Sequence, residues 1–165
     1  MKHITLTQGK MALVDDVDYA QLSVHRWRAV NWKGNWYAAR IQKVRGHGRL
    51  ILMHREIMDA PPDMLVDHQN GNGLVNLRSN LRLCTNSQNQ ANRRRLPVHA
   101  LSVFRGVTYH RGCNRWQAQI KVQGRGIYLG LFNEENAAAR AYDAAAAEYF
   151  GEFARPNFQY LTRAA

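Results

Sequence analysis

Residues 66–92 read VDHQNGNGLVNLRSNLRLCTNSQNQAN, and the rest of the chain can be arranged around them. A short apolar run ends here at Asp67 and His68. The Gly- and Asn-rich sequence that follows is typical of a turn, because these residues adopt positive φ at low cost. The segment 81–84 alternates leucine with Arg82 and a cysteine, as a half-buried strand does, and the polar residues after it can cap a helix. The pattern predicts a strand, a loop, a second strand and a helix.

Four polar residues of this stretch have the chemistry of a phosphodiester-cleaving site. A neutral His68 can take a proton from water near physiological pH if its ring is held in place. The amide oxygen of Asn80 can hold it by accepting from the other ring nitrogen. Asp67 and Asn89 offer oxygen ligands, which Mg²⁺ or another divalent cation such as Mn²⁺ prefers. We therefore predict a metal-dependent site in which His68 is the base, Asn80 orients it, and Asp67 and Asn89 bind the metal.

The same residue types also occur in ordinary turns, and that alternative stays open. We assign Asn70, Asn72 and Asn76 to turn capping rather than to chemistry. The two cysteines, Cys84 and Cys113, form no C-x-x-C pair, so the sequence predicts neither a zinc site nor a disulfide framework.

The chain before this stretch predicts a small α+β platform. Aromatic and β-branched runs flank Lys33-Gly34-Asn35, a combination that indicates a hairpin, and a second turn follows at 45–48. His54 lies just ahead of the candidate site and is a candidate for a phosphate contact. Three consecutive arginines follow the stretch, and we expect them to contact phosphates: Arg93, Arg94 and Arg95.

The last third of the chain has the pattern of three short strands and a helix. The strands are predicted at 104–109, 116–122 and 127–132, with polar residues alternating along the middle one. Asn133 is placed to cap an alanine-rich helix, and Gly151 is placed to end it. One face of the sheet would then pack on the helix, and the opposite face would be free for a ligand.

Charge and composition restrict the partners. The chain of 165 residues has 23 Lys and Arg against 12 Asp and Glu, a formal net charge of +11, which is expected of a protein that binds a polyanion. No apolar run approaches the roughly 20 residues of a membrane span, and the N-terminus lacks a secretory h-region. We expect an intracellular protein with double-stranded DNA as its partner and no membrane association; a monomer and a dimer are both left open.

The motif DH, with Asn80 twelve residues on and Asn89 nine further, resembles the HNH homing-endonuclease family of phages and mobile elements. The segments LTQGKMALVDD and LILMHREIM add to that resemblance. It implies a ββα-metal fold with His68 as general base, Asp67 and Asn89 on the metal and Asn80 orienting His68. The second histidine of the family's pattern is replaced by Asn89. The family's optional zinc-binding cysteine pairs are absent from the sequence.

A second resemblance covers the C-terminal third. The segments FRGVTYHRGCNRWQAQIKV, GRGIYLGLF and ENAAARAYDAAAAEYFG resemble the Apetala-two/ethylene-response-factor DNA-binding domain. The resemblance implies that a three-stranded sheet enters the DNA major groove and that a helix supports it. By position, the implied groove contacts are Arg105, Gln119, Lys121 and Tyr128. Arg111, Arg115 and Arg125 are candidates for phosphate contacts. Thr108, His110 and Gly126 stand where plant members carry arginine, so the plant target sequence is not carried over.

Together these patterns predict an α+β chain in which a ββα-metal HNH nuclease domain precedes a three-stranded antiparallel sheet with one helix. The predicted limits are 1–94 for the first domain, with its core at about 62–94, then a linker at 95–101, a DNA-binding domain at 102–158 and a tail at 159–165. The expected function is a site-directed, metal-dependent DNA endonuclease in the cytoplasm of a bacterial or phage-infected cell. The alternatives are a non-catalytic, sequence-specific DNA-binding regulator whose nuclease site has decayed, and an RNA-binding protein.

Overall fold

A computed structural model describes residues 1–92 and 101–158, and the chain divides into two compact units, Met1–Asn86 and Ser87–Ala165. The sequence placed the end of the first domain at residue 94, and those domain limits stay predictions. Arg93, Arg94 and Arg95, most of the proposed linker and the proposed tail lie outside the described residues. Each unit is treated below by itself.

The first unit is built from short strands and helices. Its strands are β1 (Lys2–Thr5), β2 (Met11–Val14), β3 (Arg28–Trp32), β4 (Asn35–Val44), β5 (His47–Leu52), β6 (Leu65–His68), β7 (Val75–Asn76) and β8 (Leu81–Cys84). Its helices are α1 (Asp16–Ser23) and α2 (Met53–Ile57), with a 3₁₀ turn at Arg78–Asn80 and a further helix, α3 (Asn86–Ala91), across the boundary. The strands form three small sheets, in the orders β1-β2-β7, β3-β4-β5 and β6-β8.

Two tight turns set the long hairpins of this unit. Lys33 and Gly34 join β3 to β4, and Arg45 and Gly46 join β4 to β5, all with positive φ. Positive φ at both central residues is the type I′ geometry, whose twist matches that of antiparallel strands. The hairpin predicted at Lys33-Gly34-Asn35 is confirmed.

The core of the first unit packs side chains of β1 and β2 against α1, α2 and the inner ends of the other strands. Trp27 is buried and donates from Nε1 to the Leu22 carbonyl oxygen at 2.8 Å, so its one polar atom is satisfied inside the core. Strand β7 contains only two residues, yet it pairs in parallel with β2 and carries Asn76 into the interior. The buried apolar residues are Ile4, Leu6, Ala12, Val14, Leu22, Trp27, Ala29, Ala38, Met53, Ile57, Val66 and Leu81.

The second unit has the predicted sheet and helix. Strands β9 (Val107–His110), β10 (Arg115–Val122) and β11 (Arg125–Phe132) form an antiparallel sheet with β10 in the centre, and α4 (Glu135–Phe150) packs on it. Small side chains of α4, among them Ala138 and Ala139, meet Val107 and Ala118 in the core. The helix begins after Glu134 rather than at Asn133, and it ends at Gly151, whose φ is +52°. The prediction of an α+β chain with antiparallel sheets is confirmed.

Candidate nucleic-acid interface

His68, the residue predicted to act as a base, lies at the end of β6 and is buried. Its Nε2 is 3.1 Å from Oδ1 of Asn76, so the neutral ring donates this hydrogen bond. Burial lowers the pKa of His68, while the bond to Asn76 and the nearby Asp67 carboxylate act in the opposite direction. His68 is therefore a neutral ring held inside the first unit.

Asn80 does not orient His68, and that prediction is wrong. Its amide nitrogen donates to the Val75 carbonyl oxygen at 2.7 Å and to Oδ1 of Asn70 at 3.2 Å, and its Oδ1 accepts from the Asn70 backbone N–H at 3.0 Å. The 3₁₀ turn that ends at Asn80 directs its amide to the loop 70–75. Asn76 makes a hydrogen bond to the His68 ring instead, because pairing of β7 with β2 buries it beside His68.

The loop asparagines divide between two roles. Asn70 and Asn72 cap turns as predicted: Oδ1 of Asn70 accepts from Asn72 N at 2.8 Å, and Oδ1 of Asn72 accepts from Leu74 N at 3.1 Å. The assignment of Asn76 to turn capping is wrong, since its side chain is fully buried.

Asp67 faces Arg82 across the β6–β8 pair. One carboxylate oxygen of Asp67 accepts from Nε of Arg82 at 3.0 Å and from Nη2 at 2.9 Å. Both side chains are largely buried, at 7% and 12% exposure. A buried carboxylate needs a compensating charge, and the guanidinium supplies it here. The position of Asp67 is thus explained by an ion pair.

The metal prediction is not tested by this geometry. Asn89, the other proposed ligand, lies in α3 and belongs to the second unit. Within residues 1–92 and 101–158, no three His, Cys, Asp or Glu side chains are grouped as a metal site would need. The magnesium or manganese site rested on only two protein oxygens, Asp67 and Asn89, and it stays a prediction.

His54 is part of the same buried cluster. Its ring packs edge-on against His68 with 4.9 Å between centroids, and Tyr37 contacts both rings. Burial lowers the pKa of His54 to about 3, and the neighbouring His68 and Arg55 act in the same direction. Phosphate binds exposed cations most strongly. The buried, neutral ring of His54 is not such a group, and its predicted phosphate contact stays a prediction.

The outward face of the second unit's sheet carries most of the predicted DNA contacts. In β10, the buried Ala118 and Ile120 alternate with the exposed Gln119 and Lys121. Across the sheet, Gln119 is paired with Tyr128, and Lys121 is paired with Gly126. We call this surface the outward face; its exposed members, with the half-buried Gln117, are Thr108, His110, Arg115, Gln117, Gln119, Lys121, Gly126 and Tyr128.

The charge of this region has one sign. Between residues 102 and 133 the sequence has five basic residues and no Asp or Glu: Arg105, Arg111, Arg115, Lys121 and Arg125. All of these except Arg105 are exposed. Trp116 instead packs with the core beside Tyr109, as the sequence predicted.

Arg105 has a structural role that the sequence did not predict. Its Nη1 donates to the Ala91 carbonyl oxygen at 2.8 Å, and its backbone N–H donates to Oδ1 of Asn157 at 2.7 Å. The half-buried guanidinium is held within the second unit. This position does not match the freely exposed base contact implied by the resemblance.

The contacts of Asp143 and Gly106 also stabilise the second unit, and the sequence did not predict them. Asp143 of α4 is buried and accepts from the backbone N–H of Asn157 at 2.7 Å and of Phe158 at 2.9 Å, so it ties the segment after the helix back to the helix. Gly106 has φ of +72°, and a Cβ there would lie 2.0 Å from the Tyr142 ring. No spacing in the sequence identifies these contacts, because each joins distant segments.

Comparison with known proteins agrees with this geometry. Residues 102–152 match the AP2 domain. An AP2-like ethylene-responsive transcription factor of Arabidopsis thaliana is 41% identical over 75 residues, which cover 39% of this chain and 25% of the relative. The APETALA2-like protein 2 of Oryza sativa subsp. indica is 46% identical over 65 residues, 39% of this chain and 15% of the relative. The chain thus spans a quarter or less of the length of these relatives.

These matches correct the predicted activity. The relatives are named as transcription factors and APETALA2-like proteins, which are not nucleases, so the predictions of an enzyme and of endonuclease activity are wrong. The comparisons also give no support to an HNH domain in residues 1–94 or to a bacterial or phage host. The AP2 domain is a binding domain for double-stranded DNA, so that partner is supported. No helix in the described part of the chain is long and apolar enough to cross a membrane.

Proposed function

We propose that this protein is a non-catalytic, sequence-specific regulator that binds double-stranded DNA through the outward face of its second unit. The proposal rests on the composition of this face. It presents exposed amide, ammonium and aromatic groups, and no Asp or Glu occurs in the sequence from residue 102 to 133. Carboxylates would repel phosphate, and their absence favours a polyanionic partner. Such a protein acts inside the cell, where genomic DNA is found.

The central strand provides the base-reading groups. A β-ribbon fits the major groove, where a glutamine can pair with the N6 and N7 edge of adenine and a lysine can contact O6 and N7 of guanine. Gln119 and Lys121 are two residues apart in β10, so their side chains project to the same side about 7 Å apart. That spacing is about two base-pair steps of roughly 3.4 Å. Tyr128, paired with Gln119 and 60% exposed, adds an apolar ring beside the bases.

Basic side chains around the face supply affinity rather than sequence choice. Arg111 lies in the turn between β9 and β10, Arg115 begins β10, and Arg125 begins β11. These positions surround the reading strand, where DNA backbones would pass. Arg93, Arg94 and Arg95 are proposed as additional phosphate contacts on sequence grounds alone.

The first unit fits a non-catalytic role. Asp67 is neutralised by Arg82, and His68 is buried against Asn76 and His54. These contacts stabilise the link between β6, β7 and β8. We therefore assign the cluster a role in holding the first unit together.

A direct test compares two matched triple variants of the full chain. Gln119→Ala, Lys121→Ala and Tyr128→Ala remove an amide, a cation and an aromatic ring from the outward face. Asn136→Ala, Arg140→Ala and Tyr149→Ala remove the same three types of group from exposed positions of α4. We expect the first set to weaken binding to duplex DNA by tenfold or more, since a good base contact is worth about 1–3 kcal/mol. The second set should bind as the wild type does.

Fluorescence anisotropy with labelled duplex DNA and single-stranded RNA of equal length measures both outcomes. Equal losses for the two variants would contradict the proposed reading surface. Tighter binding of single-stranded RNA than of duplex DNA would favour the RNA-binding alternative.

A further inference from the structure

One hairpin of the first unit is exposed along its whole outer half. Every residue from Ile41 to Leu50 is exposed, on both strands and on both faces of the hairpin. We call residues 41–50 the basic ribbon. Its larger apolar side chains, Ile41, Val44 and Leu50, have 51%, 45% and 44% of their surface exposed, so this segment projects beyond the core. Exposed apolar groups of this kind often mark a binding surface.

The ribbon is a regular structure and not a loose loop. Ile41 pairs with Leu50, Lys43 with Gly48, and Val44 with His47 in unbroken antiparallel register. The type I′ turn at Arg45-Gly46 closes it, and Nδ1 of His47 lies 3.1 Å from the Arg45 carbonyl oxygen. A two-stranded ribbon of this kind presents its side chains at fixed positions.

The charges of the ribbon are all positive. Lys43, Arg45 and Arg49 lie within it, and no Asp or Glu occurs anywhere from residue 19 to residue 55. The next acidic residue, Glu56, is already bound to Arg40 through Oε2 at 3.0 Å. The described structure therefore places no carboxylate on the ribbon to pair with its three cations.

We propose that the basic ribbon is a second contact to duplex DNA, in which Lys43, Arg45 and Arg49 bind phosphates. The major groove admits a two-stranded ribbon and is about 8.5 Å deep. Three residue steps from Ile41 to Val44 span about 10 Å, close to that depth. Arg45 at the tip and Lys43 and Arg49 beside it can then contact backbones along the groove, while Ile41 and Leu50 contact its apolar edges. The phosphate contacts of the basic ribbon do not depend on which DNA base sequence the outward face recognises.

The test neutralises the ribbon in the full chain. Lys43→Gln, Arg45→Gln and Arg49→Gln remove three charges without changing buried contacts, and glutamine already occupies the equivalent positive-φ turn position at Gln123. The matched control removes three exposed charges elsewhere in the first unit: Lys2→Gln, Arg26→Gln and Arg28→Gln. A charge-preserving variant, with Lys43→Arg, Arg45→Lys and Arg49→Lys, shows whether charge alone suffices.

The readout is the salt dependence of binding to a random-sequence duplex. Each lost phosphate contact should lower the slope of log K against log salt by about 0.9, so the ribbon variant should lose about 2.7. The control and the charge-preserving variant should keep the wild-type slope. A ribbon variant with the wild-type slope would overturn the proposal, and this is the result expected if the ribbon binds a protein or a lipid surface instead.

Hydroxyl-radical footprinting separates this proposal from the proposed function. Neutralising the ribbon should expose one set of DNA deoxyriboses to hydroxyl radicals and leave another set protected. The outward-face variant should lose the complementary set. If the outward face does not bind DNA, the ribbon's set is still protected in the wild type; if the ribbon does not bind DNA, neutralising it leaves the footprint unchanged.

Discussion

The buried histidine pair shows how the first unit uses its polar residues. His54 and His68 pack edge-on with Asn76 beside them, and both rings have lowered pKa values. Nδ1 of His54 has no hydrogen-bond partner among the described residues, so nothing there would stabilise an added proton. The cluster therefore stabilises the fold only while its rings are neutral.

Acidification should destabilise the first unit for this reason. The unfolded chain binds protons at His54 below about pH 6.5, whereas the folded chain does so only near pH 3. The stabilisation is complete above pH 6.5 and is lost as the pH falls from there towards 3. Between pH 7.5 and 5.5 the free energy of unfolding should fall by about 1 kcal/mol or more.

Denaturant unfolding followed by tryptophan fluorescence measures this change, because Trp27, Trp32 and Trp36 all lie in the first unit. His54→Phe keeps a ring of similar size and should reduce the pH dependence. An unfolding free energy that is the same at both pH values in the wild type would contradict the account.

The hydrogen-bond partners of these residues could be predicted only where they lie close by in the sequence. The sequence correctly placed His68 at the end of a strand and the capping asparagines in the following loop. The sequence analysis predicted that Asn80, and not Asn76, bonds His68. Asn76 is buried beside His68 only through pairing of β7 with β2, a strand far earlier in the chain. Local periodicity contains no information about that pairing.

At the level of elements, a single glycine just before β9 permits close packing against Tyr142 of α4. A Cβ at Gly106 would meet the Tyr142 ring at 2.0 Å and the Gln119 carbonyl oxygen at 2.6 Å, and φ is +72°. The Gln119 carbonyl oxygen belongs to the backbone and cannot move away from an added Cβ as a flexible side chain can.

Gly106→Ala should therefore destabilise the second unit by about 2–4 kcal/mol, from overpacking together with the cost of positive φ. Gly126→Ala is the control, because a Cβ there meets nothing within 4 Å. Hydrogen exchange of the α4 amides measures the effect, with faster exchange expected for Gly106→Ala alone. Equal protection in the two variants would show that the close approach does not matter.

The hairpins were the most predictable elements. The turns predicted at Lys33-Gly34-Asn35 and at 45–48 sit between β-rich runs, and both form, with positive φ at their central residues. The three-stranded sheet also follows from alternation in β10. The closure of the second unit through Asp143 and Asn157 could not be predicted, since it depends on a segment beyond the helix folding back.

At the scale of the molecule, two acid-free stretches dominate the electrostatics. Residues 19–55 contain eight of the 23 basic residues, and residues 102–133 contain five more. Each stretch forms an antiparallel sheet, one in each unit. Thirteen of the 23 basic residues thus lie in these two stretches, and we propose duplex DNA as the partner of both sheets.

Sequence-specific DNA binding by the outward face can be tested by selection from a random duplex library. The full chain is incubated with the library in Mg²⁺, and the bound duplexes are recovered and sequenced. We expect one enriched motif, recovered as intact duplex, that is lost with Gln119→Ala, Lys121→Ala and Tyr128→Ala. Absence of any enriched motif, enrichment that survives those substitutions, or recovery of cut duplexes would contradict it.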